Sequence, residues 1–275
     1  MDTILDKFNI DASALKNKQL FLLDMDGTIY EENRLFESTL DFLRQIKENK
    51  GRYVFITNNS SKSVNDYVKK LSQMGIPAEY DDFFTSSQAT ARYIKSNYLH
   101  EKVFCMGTRS LIRELEESGI SVTEEVDAEA GIVLVGYDTE LTYEKLRRTS
   151  EMLTKYNVHY IATNPDKACP VGFGFVPDCF AMCEMLFMAT GKRPLYIGKP
   201  EPAMIDFALE KYSCAKQDAV IIGDRLYTDI AAGINAGITS VCVLSGEAAL
   251  CDIINGDIKP TFTLESIADI LGIIK

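Results

Sequence analysis

The sequence has no apolar run long enough to cross a bilayer. It has only two histidines and no Cys-x-x-Cys pair, so a zinc site is not expected, although Cys179 and Cys183 stand one helical turn apart. Positive charge is in short supply: 29 Lys and Arg face 40 Asp and Glu, a net charge of -11. That balance argues against nucleic acid and anionic membrane as partners. The opening Met1-Asp2-Thr3-Ile4-Leu5-Asp6 lacks a basic region followed by an apolar run, so no signal peptide is expected. The seven cysteines are odd in number and widely scattered, as in the reduced, mostly buried thiols of a cytoplasmic protein. No low-complexity linker and no short-period repeat interrupt the chain.

What the chain does have is an alternation of strands and helices over 275 residues with 46% hydrophobic and 25% charged content, a soluble globular composition. Leu20 to Leu23 reads as a buried strand, and Tyr53 to Ile56 as another. Between them, Leu40, Leu43 and Ile46 recur at helical spacing, and Gly51 closes that helix. Ser63 is a helix cap for Val64 to Met74. Further helices are expected over Ser86 to Asn97, Ser110 to Glu117, Thr142 to Tyr156 and Asp178 to Thr190, with strands at Lys102 to Cys105, Gly131 to Gly136 and Val158 to Ala162. Thr163 to Pro177, rich in Gly and Pro, reads as an irregular loop. Strands at Leu195 to Gly198, Ala219 to Gly223 and Ser240 to Leu244 follow, with helices to about Tyr212 and over Asp229 to Ala236. The pattern predicts a doubly wound α/β fold, Rossmann-like and three-layered.

Four of the strand ends carry polar groups. Asp24 and Asp26 follow the first strand, and being two apart they lie on the same side of it. Thr57-Asn58-Asn59 follows the second, Lys199 a later one, and Asp224 with Asp229 another. The intervals from 24 to 57, 57 to 199 and 199 to 224 are 33, 142 and 25 residues. The long middle interval has the length of a domain, which predicts an insertion, residues 83–186, into a core made of 1–82 and 187–275. Ligands of open parallel sheets bind beyond the carboxyl ends of the strands. Several carboxylates gathered there repel one another unless protonated or joined by a cation, and hard oxygen donors favour Mg²⁺. One lysine and one metal attract a phosphoryl group, and a hydroxyl with backbone N–H groups holds its oxygens. Such a site suits in-line displacement at phosphorus, with one aspartate as nucleophile and the other as acid and base.

These residues resemble a known family. Asp24-Met25-Asp26-Gly27-Thr28, Thr57-Asn58-Asn59, Gly198-Lys199-Pro200 and Gly223-Asp224-Arg225-Leu226-Tyr227-Thr228-Asp229 resemble, in order, the four motifs of the haloacid dehalogenase (HAD) superfamily. An aspartate two residues after the first marks its phosphatase branch, and the long insertion is similar to a C2-type α/β cap. Thr57-Asn58-Asn59-Ser60, Val135-Gly136-Tyr137-Asp138 and Ile161-Ala162-Thr163-Asn164-Pro165-Asp166 are similar to the NagD and 4-nitrophenylphosphatase group. The resemblance implies that Asp24 is the nucleophile that becomes an aspartyl phosphate. Asp26 would be general acid and base, with its carbonyl on the metal. Thr57 and the backbone of Asn58 would grip the phosphate, with Asn59 beside them, and Lys199 would neutralise Asp24 and phosphate. Asp24, Asp26, Asp224 and Asp229 would gather Mg²⁺. Substrates would be small phosphomonoesters such as sugar phosphates or nucleoside monophosphates, with Asn164 and Asp166 of the cap as contacts. Cap-mediated dimers occur in similar proteins, which makes a homodimer a candidate assembly. In the pyridoxal phosphate phosphatases a histidine precedes the proline of the cap loop; Cys169 stands there instead, which argues against vitamin B6 phosphate as the main substrate.

Simpler readings compete residue by residue. A lone Asp24–Asp26 pair could be turn chemistry, Lys199 a solvated lysine, Asp229 a helix cap, and Asn164 and Asp166 loop-forming residues. Asp138, His100 and His159 read as structural, and Phe83-Phe84 as core or hinge packing. A phosphomutase, or a non-catalytic phosphometabolite sensor on the same scaffold, would share the core motifs. Mutases, however, usually carry the cap between the first two motifs, and decayed scaffolds lose one of the first two aspartates.

Overall fold

A computed structural model describes residues 5–275. The chain forms two compact units: the first comprises residues 1–57, 68–84 and 199–275, the second 58–67 and 85–198.

The first unit is built on a six-stranded sheet with the order Phe262–Leu264, Thr239–Val243, Ala219–Gly223, Leu20–Leu23, Arg52–Thr57, Phe83–Thr85. The pairings from Phe262–Leu264 through Arg52–Thr57 are parallel. Leu20–Leu23 is buried along its whole length, as a strand covered on both faces must be. From this strand the chain winds outward to Arg52–Thr57 and Phe83–Thr85, then returns to the other side at Ala219–Gly223 and winds the opposite way. The fold is therefore doubly wound, and its topological switch lies between Leu20–Leu23 and Ala219–Gly223, where such sheets open a crevice for ligand. Helix Thr39–Glu48 buries Phe42, Leu43 and Ile46 on one face and packs against helix Ile267–Ile274. Helix Ala203–Lys211 buries Met204, Ile205, Ala208 and Leu209. Ahead of the first strand, Leu15 is fully buried in a short 3₁₀ turn, Ser13–Asn17.

The second unit has its own parallel sheet, in the order Leu195–Tyr196, His159–Ala162, Ala130–Val135, Lys102–Met106, Val122–Thr123. Its helices begin at the side-chain caps that their sequences supply. Thr85 accepts from Gln88 N, Thr108 from Leu111 N, Thr142 from Lys145 N and Asp178 from Cys179 N. Phe104, Val133, Val135, Met152, Leu153, Met182 and Leu186 are among its core. Asp138 is an internal structural group, accepting from Lys145 Nζ at 2.8 Å and from Glu140 N at 2.9 Å. His159 stacks on Tyr98 with ring centroids 4.3 Å apart.

Several local expectations differ from what forms. The segment read as an irregular loop contains an antiparallel hairpin, Ala168–Val171 with Gly174–Pro177, turned at Gly172 and Phe173. The strand before Lys199 is only Leu195–Tyr196, and it pairs with His159–Ala162 in the second sheet. Helix Cys179–Thr190 and this strand therefore stay with the second unit through Gly198, rather than leaving it at residue 187. The segment expected as helix from Asp229 begins with a π-helical turn, Leu226–Ile230, before α-helix Ala231–Ala236. Phe83 and Phe84 belong to the edge strand of the first sheet. The hairpin Tyr30–Glu31 with Arg34–Leu35 and the helix Leu250–Asn255 had no sequence signal that predicted them. All seven cysteines are free, and four are buried. Among the described residues, no helix is long and apolar enough to cross a membrane.

Candidate active site

The first unit brings Asp24, Lys199, Asp224 and Asp229 together. Asp24 leaves the Leu20–Leu23 strand with its N–H bonded to Ile222 O at 2.9 Å, which keeps it in register with the strand that delivers Asp224. The ammonium of Lys199 is 2% exposed, and donates to Asp24 Oδ1 at 2.6 Å and to Asp229 Oδ1 at 2.5 Å. It also reaches Ile56 O, at the end of the neighbouring strand, at 3.5 Å. Asp229 Oδ2 accepts from Arg225 N at 3.1 Å, so this residue both turns the backbone and meets Lys199. Asp224 accepts from Thr28 Oγ1 at 3.3 Å and from Glu247 N at 2.8 Å.

Backbone crowds this cluster where only glycine fits. A Cβ on Gly27, whose φ is +82°, would lie 2.4 Å from Asp224 Oδ2, and one on Gly246 would lie 2.1 Å from the same atom. Ser245 Oγ donates to Gly27 O at 2.7 Å and ties the two glycine loops together. Asp26 stands on the rim, its side chain 49% exposed. Tyr30 OH donates to it at 3.2 Å and Lys70 Nζ lies 3.8 Å away, itself over the Tyr30 ring. Thr57 is buried at the end of its strand.

The electrostatics of the cluster are unbalanced. Asp24, Asp224 and Asp229 each offer an oxygen, and these atoms lie within 4.8 Å of one another. Burial, then Asp229 and Asp224, push the Asp24 carboxyl well above the usual carboxylate range, against the pull of Lys199. Burial and Asp229 push Asp224 up to about 6. Burial disfavours the Lys199 charge, but Asp229 and Asp24 outweigh it and raise the group above the ordinary lysine range. Three carboxylates share one ammonium, so full ionisation of the cluster calls for further positive charge, and all the donors are hard oxygens. That donor set fits a divalent cation of the Mg²⁺ type.

The other expected site residues lie in the second unit. Asn58 Nδ2 donates to Asp166 Oδ1 at 2.8 Å, and Asn164 Nδ2 donates to Asp178 Oδ1 at 3.1 Å. Thr163 Oγ1 donates to Asn164 Oδ1 at 2.8 Å. Asn58, Asn164, Asp166 and Asp178 are all buried, whereas Asn59 is half-buried and holds Ser61 N and Oγ. Sequence reasoning did not single out Lys70, Tyr30, Asp178 or the Gly246-Glu247 loop. Gly246 follows a strand end in the same sheet, which was a usable signal. Asp178 was readable as a helix cap but not as the partner of Asn164, and nothing marks Lys70 among the lysines of its helix.

A model of haloacid dehalogenase-like hydrolases matches residues 21–121, and a second HAD-type hydrolase model matches 196–270. The chain belongs to the haloacid dehalogenase-like hydrolases. An acid sugar phosphatase of Staphylococcus haemolyticus is 32% identical over 253 residues, 92% of this chain and 95% of that one. A 4-nitrophenylphosphatase from Thermotoga maritima superposes with a TM-score of 0.91 at 38% identity, covering 95% of this chain and 99% of that one. A glycerol phosphate phosphatase from Mycobacterium tuberculosis, solved in complex with magnesium, superposes at 0.87 with 25% identity, covering 93% of this chain and 77% of its own. This hydrolase thus stands in the phosphatase branch of the family, with the NagD and 4-nitrophenylphosphatase group, and is a phosphomonoester hydrolase. The α/β architecture with its doubly wound core is that of the group.

Proposed function

We propose that this HAD phosphatase is Mg²⁺-dependent and hydrolyses small soluble phosphomonoesters, sugar phosphates or nucleoside monophosphates, through an aspartyl phosphate on Asp24. The observation that carries the reading is Asp24 itself. It lies at the topological switch, 2.6 Å from a buried lysine, among three carboxylates that share that one ammonium. Asp24, Asp224 and Asp229, with the carbonyl of Asp26, would hold the ion, which when bound supplies positive charge against the phosphoryl oxygens.

The chain's own groups account for the chemistry. Lys199 draws Asp24 toward its ionised form, a pull that a bound cation would reinforce, and attracts the phosphate. An Asp24 oxygen attacks phosphorus in line, and the bond to the ester oxygen breaks. Asp26, more open than its neighbours, gives its proton to the departing oxygen. As a carboxylate it then takes a proton from water, whose oxygen displaces Asp24 from phosphorus and frees inorganic phosphate. Thr57 and the turn beginning at Asn58 would hold the phosphate oxygens. The second unit would act as the cap that selects the leaving group, with Asn164 and Asp166 contributing through the 163–178 segment. The test is phosphate release from a panel of phosphomonoesters with and without Mg²⁺, for the native protein and Asp24→Asn. Metal-dependent turnover that the substitution abolishes supports the reading, and a native protein that releases phosphate from none of the esters refutes it.

A further inference from the structure

Asn58, the first residue after the Thr57 strand end, is held from the far side by a helix that plays no part in the chemistry. Helix Ser86–Asn97 has Thr85 as its cap, and the Thr85 hydroxyl accepts from Gln88 N at 3.1 Å. A serine at the start of a helix ordinarily serves as the cap itself. With that task already filled, the Ser86 hydroxyl is available for another. It is fully buried and donates to the Asn58 carbonyl at 2.6 Å. The peptide bond after Asn58 is trans, so its C=O and N–H point in opposite directions. Fixing the carbonyl on Ser86 therefore aims the N–H of Asn59 away from the helix.

The rest of the turn is tied down just as closely. Asn58 Nδ2 bonds Asp166 at 2.8 Å, Ser60 Oγ bonds Thr163 Oγ1 at 2.8 Å and Tyr137 N at 2.9 Å, and Thr108 Oγ1 donates to Ser61 O at 3.0 Å. The turn has no regular secondary structure of its own, so these side chains substitute for a ladder. We infer that Ser86 is a positioning residue for phosphate binding: it orients the Asn58–Asn59 peptide so that the turn presents N–H groups to the phosphate oxygens. The inference rests on the phosphatase reading above.

The test compares Ser86→Ala with Thr90→Val in the full chain. Thr90, on the same helix and equally buried, donates its hydroxyl to Ser86 O at 2.7 Å rather than to the turn, so it controls for loss of a buried hydroxyl bond. The probes are inorganic phosphate as a competitive inhibitor and 4-nitrophenyl phosphate as substrate. Ser86→Ala should raise the phosphate inhibition constant and KM by about tenfold, the worth of one well-made hydrogen bond, with a smaller change in kcat. Thr90→Val should leave both constants unmoved. Should Ser86→Ala fail to fold, Ser86→Cys, of similar volume and with a weak donor, carries the same expectation. A phosphate constant unchanged in the serine variant, or raised equally by Thr90→Val, overturns the positioning role while native turnover leaves the phosphatase reading standing. A native protein that neither hydrolyses the ester nor binds phosphate sinks both.

Discussion

In the first unit, Asp24, Asp224 and Asp229 surround one lysine and remain short of positive charge. In the second, Asn58, Asn164, Asp166 and Asp178 pair amide with carboxylate, so that each acid accepts from a neutral donor fixed by the fold. Both clusters are buried, and both are drawn from distant parts of the chain. The second joins its two acids to separate neutral donors, one pair at a time. The first instead crowds three carboxylates within 4.8 Å of one another around one ammonium, and like charges gathered so closely invite a ligand of opposite sign. Carboxylates crowded together mark the site of chemistry more clearly than polarity or burial alone.

The comparison can be broken most sharply at Asp24. Asp24→Asn keeps the shape and removes the nucleophile, and phosphate release should fall by about four orders of magnitude or more. Asp166→Asn, which can still accept from Asn58, should fall far less, measured on the same ester. Next in size is Lys199→Met. Removing the partner of a buried ion pair leaves Asp24 and Asp229 facing each other, and should lower unfolding stability by about 3–5 kcal/mol in urea titration. If the metal-free Lys199→Met protein unfolded at the native urea midpoint, the pairing would not matter to the fold.

A third test lies in the second unit, at Glu114. It is 3% exposed and neither carboxylate oxygen meets hydrogen-bond geometry, although the Thr85 hydroxyl lies close enough to pull its pKa downward. Burial, with Glu117 and Asp66 nearby, nevertheless pushes it up to about 7. Its folded pKa lies above the unfolded value of 4.5, so the native state holds the proton more tightly. The stability this confers is full below pH 4.5 and is lost as pH rises through 7, a change of about 3 kcal/mol at most. Glu114→Gln should flatten that part of the stability–pH curve, measured by urea midpoints; an unaltered slope would move the titration elsewhere. The smallest effect is Mg²⁺ itself, at about a hundred times its dissociation constant. It should stabilise the native protein by about 2.7 kcal/mol, seen as a rise in thermal midpoint that Asp224→Asn removes. A midpoint indifferent to Mg²⁺ in the native protein would weaken the case for a cation among the three carboxylates.

Much of this protein is legible in its sequence. Strands such as Leu20–Leu23, Arg52–Thr57 and Ala219–Gly223 are short apolar runs that stop at a polar residue, and most helices are delimited by a cap or a glycine nearby in sequence. Those are local signals, set by burial and by unsatisfied N–H groups at helix ends. The order Asp24, Thr57, Lys199, Asp224 followed from them, because each ends or follows a strand.

What the sequence left undecided depends on pairing between distant segments. Leu195–Tyr196 has no local feature that assigns it to one sheet or the other; its hydrogen bonds to His159–Ala162 do so. The Ala168–Val171 and Gly174–Pro177 hairpin hides in a stretch whose Gly and Pro also suit a loop. Glu247 N and Gly246 meet Asp224 because Thr239–Val243 lies beside Ala219–Gly223. Ser86 finds the Asn58 carbonyl across 28 residues. Composition and periodicity determined the elements and the residues at their ends. Only the tertiary structure decided which ends meet, because that choice is made by non-local hydrogen bonds and close packing.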